Sequence, residues 1–383
     1  MNDDAPLTRV RLVEARHAHL AWAEGLALTL PTHVVEHGPL AGSVDARGDL
    51  RLPWVLPTVS ADDVERSRWR AAFTEEPPAS SRLGFSYRRI PGPVRRLAAR
   101  AIGLWQRTRS GQWAAFPGWP LDLSTDFLAD LAGPETSRPA GPAPVCLTHD
   151  IDSPEGLSGL LDRFLPLEER TGARSTNFVV PRAWPLDEGA LAEVRQRGHD
   201  LGVHGYDHSN RTPFTGRPEM RERLRAPREL AGRYGMRGYR APSLLRTRTL
   251  LEELSELYVY DSSIPTSGGP FPVPNNGCAS ARPFLAGKLV EVPLSLPRDG
   301  SLRFLGYTPA RILELWISCA ATIAASGGVV VLLTHCEAGF SGNRPMLGAY
   351  ADFLGHVASS PGFRWATLAS VADAHAEGAT AAG

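Results

Sequence analysis

The residues that could do chemistry in this chain lie at the ends of apolar runs. Val145-Cys-Leu-Thr148 is followed by His149 and then by two aspartates, Asp150 and Asp152, with one residue between them. Residues two apart on an extended strand point to the same side, so both carboxylates would meet at the carboxyl end of this strand. Two carboxylates this close resist ionising together unless a cation or a proton separates them. The pair predicts either a metal site with a neighbouring base or two caps for the following loop.

A second pair of candidates follows the strand-like run Asp200-Leu-Gly-Val203, in His204-Gly-Tyr-Asp-His208. A separation of four brings two imidazoles to one side of a helical turn or tight loop, where both can reach one cation. Zinc and related ions accept histidine nitrogen and aspartate oxygen, and catalytic sites keep a position open for water. Two surface histidines in a polar loop would give the same spacing. Combined with Asp152, the pair predicts an Asp-His-His metal site.

Two further residues suited to acid–base chemistry also follow predicted strands. Arg240, in Arg240-Ala-Pro-Ser243, could orient a carboxylate such as Asp150 and hold it ionised, or it could be a surface arginine in a turn. His335 ends the buried run Val329-Val-Val-Leu-Leu-Thr334. A histidine there can act as a general acid at neutral pH, or it can be a core histidine with its own hydrogen bonds. All of these groups together, each at a strand end, predict one active site.

The elements behind these residues alternate between strands and helices. Such alternation implies a parallel sheet, and seven or eight units predict a barrel rather than an open sheet. Functional residues of such barrels lie at the carboxyl ends of the strands. The predicted strands are 145–149, 175–180, 200–204, 238–240, 258–261, 289–294, 328–334 and 364–367. The predicted helices are 157–171, 188–197, 218–234, 247–257, 309–325 and 344–359.

Charge and cysteine usage limit the class of protein. Lys+Arg and Asp+Glu both number 41 in 383 residues, whereas a nucleic-acid-binding protein normally has a basic face or stripe. No apolar segment reaches the roughly 18 residues that span a bilayer, and the acidic N-terminus shows no signal peptide. The cysteines form no Cys-x-x-Cys pair, which fits a reducing compartment. We therefore predict a soluble cytoplasmic protein with no nucleic-acid or membrane partner and an oligomeric state that the sequence leaves open.

The region before residue 140 is irregular in pattern, and the run Pro139-Ala-Gly-Pro-Ala-Pro144 resembles a linker. The sequence therefore predicts an N-terminal accessory region over residues 1–140 and a barrel domain over residues 145–375. Residues 94–107 have helical spacing with an arginine-rich face. Such a helix can bind membranes or nucleic acid. The simpler interpretation is a helix packed through its apolar side with a solvated basic face.

The ordered motifs resemble those of the polysaccharide deacetylase (NodB homology) family, carbohydrate esterase family 4, over roughly residues 145–370. The matching motifs are Thr148-His-Asp-Ile-Asp152, His204-Gly-Tyr-Asp-His208, Arg240-Ala-Pro242 and Leu333-Thr-His335. The resemblance implies an α/β fold, a distorted (β/α)7–8 barrel, and a divalent metal, first Zn²⁺, with Co²⁺ or Ni²⁺ as alternatives. The usual first motif, Thr-Phe-Asp-Asp-Gly, is here the Asp-x-Asp variant, so Asp152 and not Ile151 takes the ligand position.

The resemblance also implies a role for each candidate. Asp150 matches the catalytic base, Arg240 the arginine that positions it, and His335 the catalytic acid. Asp299 would pair with the catalytic histidine, with Glu291 as a rival. The metal ligands would be Asp152, His204 and His208, and the substrate-binding residues would be Tyr206, Ser243 and Asp261.

The activity that the resemblance implies is hydrolysis of an N-acyl amide, first of all an N-acetyl amide. The long N-terminal part and the absence of a visible signal peptide differ from enzymes that trim cell-wall polymers. We therefore expect a small cytoplasmic substrate, such as an amino sugar, a sugar nucleotide or a specialised-metabolite intermediate. The alternatives are an amidohydrolase acting on a non-sugar amide or cyclic ureide, and a catalytically silent binding domain on the same scaffold.

Overall fold

The computed structural model describes residues 141–267 and 277–382, together with 61–69, three strand segments near the N-terminus and scattered positions between 72 and 129. The N-terminal strands β1 (Val10–Arg11), β2 (Ser43–Val44) and β3 (Asp49–Arg51) form an antiparallel sheet in the order β1-β3-β2. Described residues of this region also pack on the barrel, since the Thr74 N–H donates to the Arg246 carbonyl at 2.7 Å. The proposed division of the chain at residue 140 stays a prediction.

The barrel is a curled nine-stranded sheet whose first strand begins at Ala143, within the predicted linker. All its strand pairs are parallel except the one between β9 and β10, so the sheet is mixed. The order is β11-β4-β5-β6-β7-β8-β10-β9, with β12 also paired to β4. The strands are β4 (Ala143–Ile151), β5 (Ser175–Val179), β6 (Asp200–His204), β7 (Gly238–Arg240), β8 (Tyr260–Asp261), β9 (Phe284–Ala286), β10 (Leu289–Glu291), β11 (Val330–His335) and β12 (Phe363–Trp365).

This sheet confirms the predicted distorted barrel and eight of its strands. The antiparallel strand β9 was not predicted from the sequence. The segment that follows β10 hydrogen-bonds to β11, the strand at the other end of the sheet. The Leu296 N–H donates to the Val331 carbonyl at 3.0 Å. The Ser295 hydroxyl donates to the Val329 carbonyl at 2.7 Å and accepts the Val331 N–H at 2.8 Å. The curled sheet therefore brings β11 and the segment after β10 together beside β4.

Alternation along β4 sorts its residues between two sides of the sheet. Val145 and Leu147 pack in the large apolar cluster shared with the helices, whereas Cys146 belongs to a second cluster with Phe178 and Val331. Because side chains alternate with a period of two, Asp150 follows Cys146 onto the inner side. On β11, Val331 and Leu333 pack in the same second cluster. The alternation therefore places His335, two residues further on, on the inner side of the sheet as well.

Helices follow the strands and cover the outside of the sheet. The two longest start where the sequence predicts, because Thr308 accepts the Arg311 N–H and Asn343 accepts the Met346 N–H as N-caps. No helix among the described residues is long and apolar enough to cross a membrane. The helices are α1 (Ala61–Trp69), α2 (Pro154–Gly159), α3 (Leu165–Arg170), α4 (Glu188–Gln196), α5 (Arg217–Arg225), α6 (Arg228–Tyr234), α7 (Arg248–Leu254), α8 (Asp299–Phe304), α9 (Pro309–Ala325), α10 (Arg344–Ser359) and α11 (Leu368–Ala382), with a π-helical stretch, Leu160–Phe164, between α2 and α3.

Candidate metal centre and catalytic groups

Three potential metal ligands meet at the carboxyl ends of β4 and β6. Asp152 follows the end of β4, His204 is the last residue of β6, and His208 lies in the loop after it. One ligand atom from each lies within 4.8 Å of the other two. The Asp152 Oδ1 atom is 3.5 Å from His204 Nε2 and 3.2 Å from His208 Nε2. The structure thus brings together all three residues that the sequence predicted as ligands.

The tautomer of His204 suits a metal ligand. Its Nδ1 lies 3.0 Å from the backbone carbonyl of Arg240, which can only accept, so Nδ1 carries the proton. Nε2 therefore has its lone pair directed toward Asp152, in the arrangement in which a second partner orients a histidine ligand. Burial lowers the pKa of His204, which keeps the imidazole neutral as a ligand must be. Two nitrogens and one carboxylate oxygen match a zinc-type site with open positions.

The loop that carries His208 has an unusual backbone. His208 and Asn210 have positive φ angles of 57° and 63°, a conformation that costs free energy for residues with a β-carbon. Gly205, at φ 66°, permits the close approach of Pro242, because any β-carbon there would collide with the proline ring. The surroundings must hold this loop in place.

Arg223 on α5 supplies that support. Its guanidinium donates to the Asp207 carboxylate at 2.6 Å and to the Ser209 hydroxyl at 3.0 Å, on either side of His208. It also donates to the Thr212 hydroxyl at 2.9 Å and stacks over the Tyr206 ring at 4.5 Å. One nearly buried arginine therefore connects four positions of the loop.

We expect the Arg223→Met variant to bind metal about 10- to 100-fold more weakly, the usual cost of losing a group that orients a ligand. The loop keeps its sequence but loses the charged contacts that offset its strained backbone. The dissociation constant of Zn²⁺, measured by competition with a chromogenic chelator, checks this. Arg225→Met, an exposed position on the same helix, is the matched control. Equal affinities in the two variants would contradict the assignment.

Asp150 and Arg240 form a buried ion pair beside the ligands. Nη1 of Arg240 is 3.2 Å from Asp150 Oδ1, and the other carboxylate oxygen is 3.5 Å from His204 Nε2. Arg240 is fully buried and is held by the Thr148 hydroxyl at 2.8 Å and by the carbonyl and hydroxyl of Ser262, both at 2.9 Å. Its guanidinium lies 4.3 Å above the Phe178 ring. These contacts fix the arginine, and the arginine fixes the Asp150 carboxylate.

His335 faces the same site from β11, with Asp299 behind it. Nδ1 of His335 is 2.8 Å from Asp299 Oδ1, and the backbone N–H of His335 donates to Asp299 Oδ2 at 2.8 Å. Burial alone would lower the pKa of His335, but the charge and hydrogen bond of Asp299 outweigh it and raise the pKa to about 10. Phe340 stacks on the imidazole, with ring centroids 4.7 Å apart. The raised pKa favours the protonated imidazole of His335 at neutral pH.

The pairing of His335 with Asp299 predicts how an activity that uses His335 as the acid would depend on pH. A step that needs protonated His335 proceeds below its pKa and is lost as the pH rises through that value. In Asp299→Asn the raising charge is gone, so the alkaline limb of kcat/KM should move to lower pH by at least about one unit. A pH–rate profile of both proteins checks this, with Asp187→Asn, at the N-cap of α4, as the control. An unchanged alkaline limb would exclude His335 as the acid.

Glu337, two residues after His335, is an acidic group that the sequence analysis missed. Its carboxylate accepts the Ser153 hydroxyl at 2.6 Å, next to the ligand Asp152. Burial and the nearby Asp152 charge raise the pKa of Glu337. Gly156, in the first turn of α2, allows this approach, because a β-carbon there would collide with the carboxylate. The sequence did not single out Glu337, because one glutamate shortly after a strand is common and indicates no particular role.

A second missed network crosses the outer side of β4 and β11. His149 contacts the Thr334 hydroxyl at 2.8 Å through Nδ1 and the Glu168 carboxylate at 2.7 Å through Nε2. The Tyr350 hydroxyl donates to the same carboxylate at 2.8 Å. All four side chains are fully buried. The network fixes two residues that immediately precede Asp150 and His335 in the chain.

The remaining predicted residues occupy different surroundings. Asp261 and Glu291 are both fully buried: Asp261 accepts the Ser263 N–H and hydroxyl, and Glu291 accepts the Ile264 N–H at 2.9 Å. Burial and the neighbouring Asp261 carboxylate raise the pKa of Glu291. Asp299, and not its rival Glu291, is thus the partner of His335.

The predicted substrate contacts of Tyr206, Ser243 and Asp261 stay predictions. Ser243 lies in the turn after β7 and has a positive φ of 56°.

Comparison with known proteins supports the fold and the motif resemblance. Residues 137–260 match the family model for polysaccharide deacetylase, which confirms the resemblance inferred from the motifs. A Mycobacterium smegmatis protein assigned as a polysaccharide deacetylase has a similar structure, with 23% identity, a TM-score of 0.50, and coverage of 64% of this chain and 93% of that one. The barrel therefore has the fold of the polysaccharide deacetylases.

Two weaker structural likenesses accompany it. A Pseudomonas aeruginosa protein assigned to the same class has 15% identity and a TM-score of 0.47, covering 62% of this chain and 94% of that one. Puue allantoinase has 16% identity and a TM-score of 0.47, covering 62% of this chain and 93% of that one. No curated protein matches the chain significantly.

Proposed function

We propose that this chain is a metal-dependent hydrolase that removes an N-acyl group, first of all N-acetyl, from a small substrate. One observation carries the proposal. The ligand atoms of Asp152, His204 and His208 lie within 4.8 Å of one another, and Asp150 and His335, the candidate base and acid, are directly paired positions on β4 and β11. A hydrolase of this type needs these components together.

A divalent cation held by Asp152, His204 and His208 would polarise the acyl carbonyl and make a water molecule more acidic. Asp150 is the proton acceptor in this proposal. Its carboxylate is fixed by Arg240 at 3.2 Å, and in this proposal it stays outside the set of metal ligands. Because the arginine is itself held by Thr148 and Ser262, the base keeps its orientation before a substrate binds.

His335 supplies the proton that the leaving group needs. Nδ1 is engaged by Asp299 at 2.8 Å, so Nε2 is the atom that can donate. An amine is a poor leaving group unless its nitrogen is protonated, whereas an alkoxide from an ester depends on this less. A histidine whose pKa is raised to about 10 therefore suits an N-acyl substrate.

For the substrate we propose a small cytoplasmic molecule, such as an acetylated amino sugar, a sugar nucleotide or a specialised-metabolite intermediate. The support is the long part of the chain before residue 145, which the motif resemblance does not cover and which differs from enzymes that trim extracellular polymers. We propose Zn²⁺ as the first metal, because two histidines and one carboxylate form a ligand set that zinc accepts.

The test combines metal analysis with product analysis. We expect about one divalent ion per chain, and acetate release from at least one member of a panel of N-acetylated sugars and sugar nucleotides. Bound metal with ring opening of a cyclic ureide, and no acetate, would move the activity to another amide. Bound metal with no turnover of either class would favour a silent binding domain. A protein that takes up no zinc, cobalt or nickel would refute the proposal.

A further inference from the structure

The residues that the structure describes between Pro93 and Trp105 include exposed apolar side chains. Every residue that the structure describes between Pro93 and Trp105 is helical and solvent-exposed. Val94 is 54% exposed, Leu97 72%, Leu104 48% and Trp105 53%. Exposed leucines and tryptophans of this size on one segment indicate an interaction surface. The interpretation of this segment as a helix packed through its apolar side is wrong for these residues.

The sequence arranges these residues as one stripe. At about 100° per residue, Val94, Leu97, Ala101, Leu104 and Trp105 fall within an arc of about 100° on an α-helix. The same period puts Arg95, Arg96 and Arg100 outside that arc. The segment thus combines an apolar stripe containing tryptophan and leucine with an arginine-rich remainder, the composition of helices that lie in the plane of a membrane surface.

The charge around the stripe is strongly one-sided. Between Glu76 and Asp122 the sequence has eight arginines and no lysine, aspartate or glutamate, although the whole chain has a formal net charge of zero. The aromatic residues Trp113, Phe116 and Trp119 follow within the same stretch. A basic stretch attracts an anionic surface, while the apolar stripe requires an apolar phase to bury it.

Contrary to the expectation from overall composition that the protein has no membrane partner, we propose that this helix docks on an anionic lipid membrane surface. Nucleic acid would satisfy the arginines but would leave Val94, Leu97 and Leu104 in water, whereas a lipid surface accommodates both sides of the helix. The docking is peripheral and is compatible with the absence of a spanning helix among the described residues. It holds the barrel beside a membrane and does not depend on the metal site or on the proposed activity.

The test uses the full-length protein and co-sedimentation with vesicles. Wild type should bind phosphatidylcholine–phosphatidylglycerol vesicles at least about tenfold better than pure phosphatidylcholine vesicles, and less well as salt rises. Leu97→Ser/Leu104→Ser and Arg95→Gln/Arg96→Gln should each weaken binding about tenfold or more. The matched controls, Val259→Ser/Leu285→Ser and Arg170→Gln/Arg225→Gln, alter exposed barrel residues and should bind as wild type does.

Several results would overturn the proposal. Failure to bind either kind of vesicle, or equal loss of binding in the control variants, would exclude a specific docking helix. Binding of an RNA or DNA oligonucleotide without vesicle binding would assign the segment to nucleic acid instead. A wild-type dimer that becomes monomeric only in Leu97→Ser/Leu104→Ser, again without vesicle binding, would assign the stripe to a second copy of the chain.

Discussion

The Asp150→Asn variant is expected to lose about 100- to 10,000-fold in kcat while retaining its metal. A positioned general base contributes a factor of this size, and an amide cannot take a proton from water at neutral pH. Asparagine keeps the shape of the side chain and can still accept the Arg240 hydrogen bond, so the site should remain assembled. Acetate release and metal content measured on the same preparation check both parts of the expectation.

The control for this variant is Asp162→Asn, which makes the same change at an exposed position on the π-helical stretch. Near-normal turnover in Asp150→Asn would show that another group takes the proton, and Glu337 would be the first to examine, because it lies beside Asp152. Loss of metal together with activity would instead place Asp150 in the ligand set. Its 3.5 Å separation from His204 Nε2 makes that outcome a real alternative.

The second large effect is expected from His204→Ala, which should lose stoichiometric metal and with it the activity. His204 is one of the three proposed protein ligands, and its Nδ1 contact with the Arg240 carbonyl orients it in the absence of metal. A metal present at about 100 times its dissociation constant stabilises the folded protein by about 2.7 kcal/mol. Wild type should therefore unfold at higher temperature when zinc is added, and the variant should not.

The matched control is His356→Ala, on α10 and remote in the chain from the ligand motifs. It should keep one equivalent of metal and the zinc-dependent rise in unfolding temperature. Circular dichroism of the variants without metal separates loss of a ligand from loss of the fold. Retention of one equivalent of tightly bound metal in folded His204→Ala would disprove the assignment of the centre.

The sequence predicted most of the barrel because its signals are local. The strands β4 and β11 are continuous apolar runs, and α9 and α10 begin at capping residues followed by proline, so their positions follow from short stretches. The antiparallel β9 was missed because its three residues precede no candidate functional residue, whereas the equally short β7 ends in Arg240. The start of α2 was also placed too late, since Ser153 caps the helix four residues before Leu157, the first periodic apolar position.

The residues of the candidate site could be proposed from the sequence because strand ends converge in a parallel barrel. The sequence also proposed Asp299 as the partner of His335, but it could not exclude Glu291, since both acidic residues lie within reach along the chain. The structure separates them: Asp299 begins α8 and contacts His335, whereas Glu291 is buried beside Asp261. Arg223 and Glu337 were missed for a related reason, because their importance comes from burial and from partners distant in sequence.

The sequence by itself thus determined which residues could bind a metal or move a proton, and that they follow strands of one barrel. Residue type and local periodicity are enough for that. Only the tertiary structure decided which carboxylate pairs with His335, which arginine supports the His208 loop, and whether the stripe of Leu97 and Leu104 is covered or exposed. The first two outcomes depend on contacts between segments far apart in the chain. The third could not be read from the sequence because an amphipathic helix has the same periodicity whether its apolar side is packed or exposed.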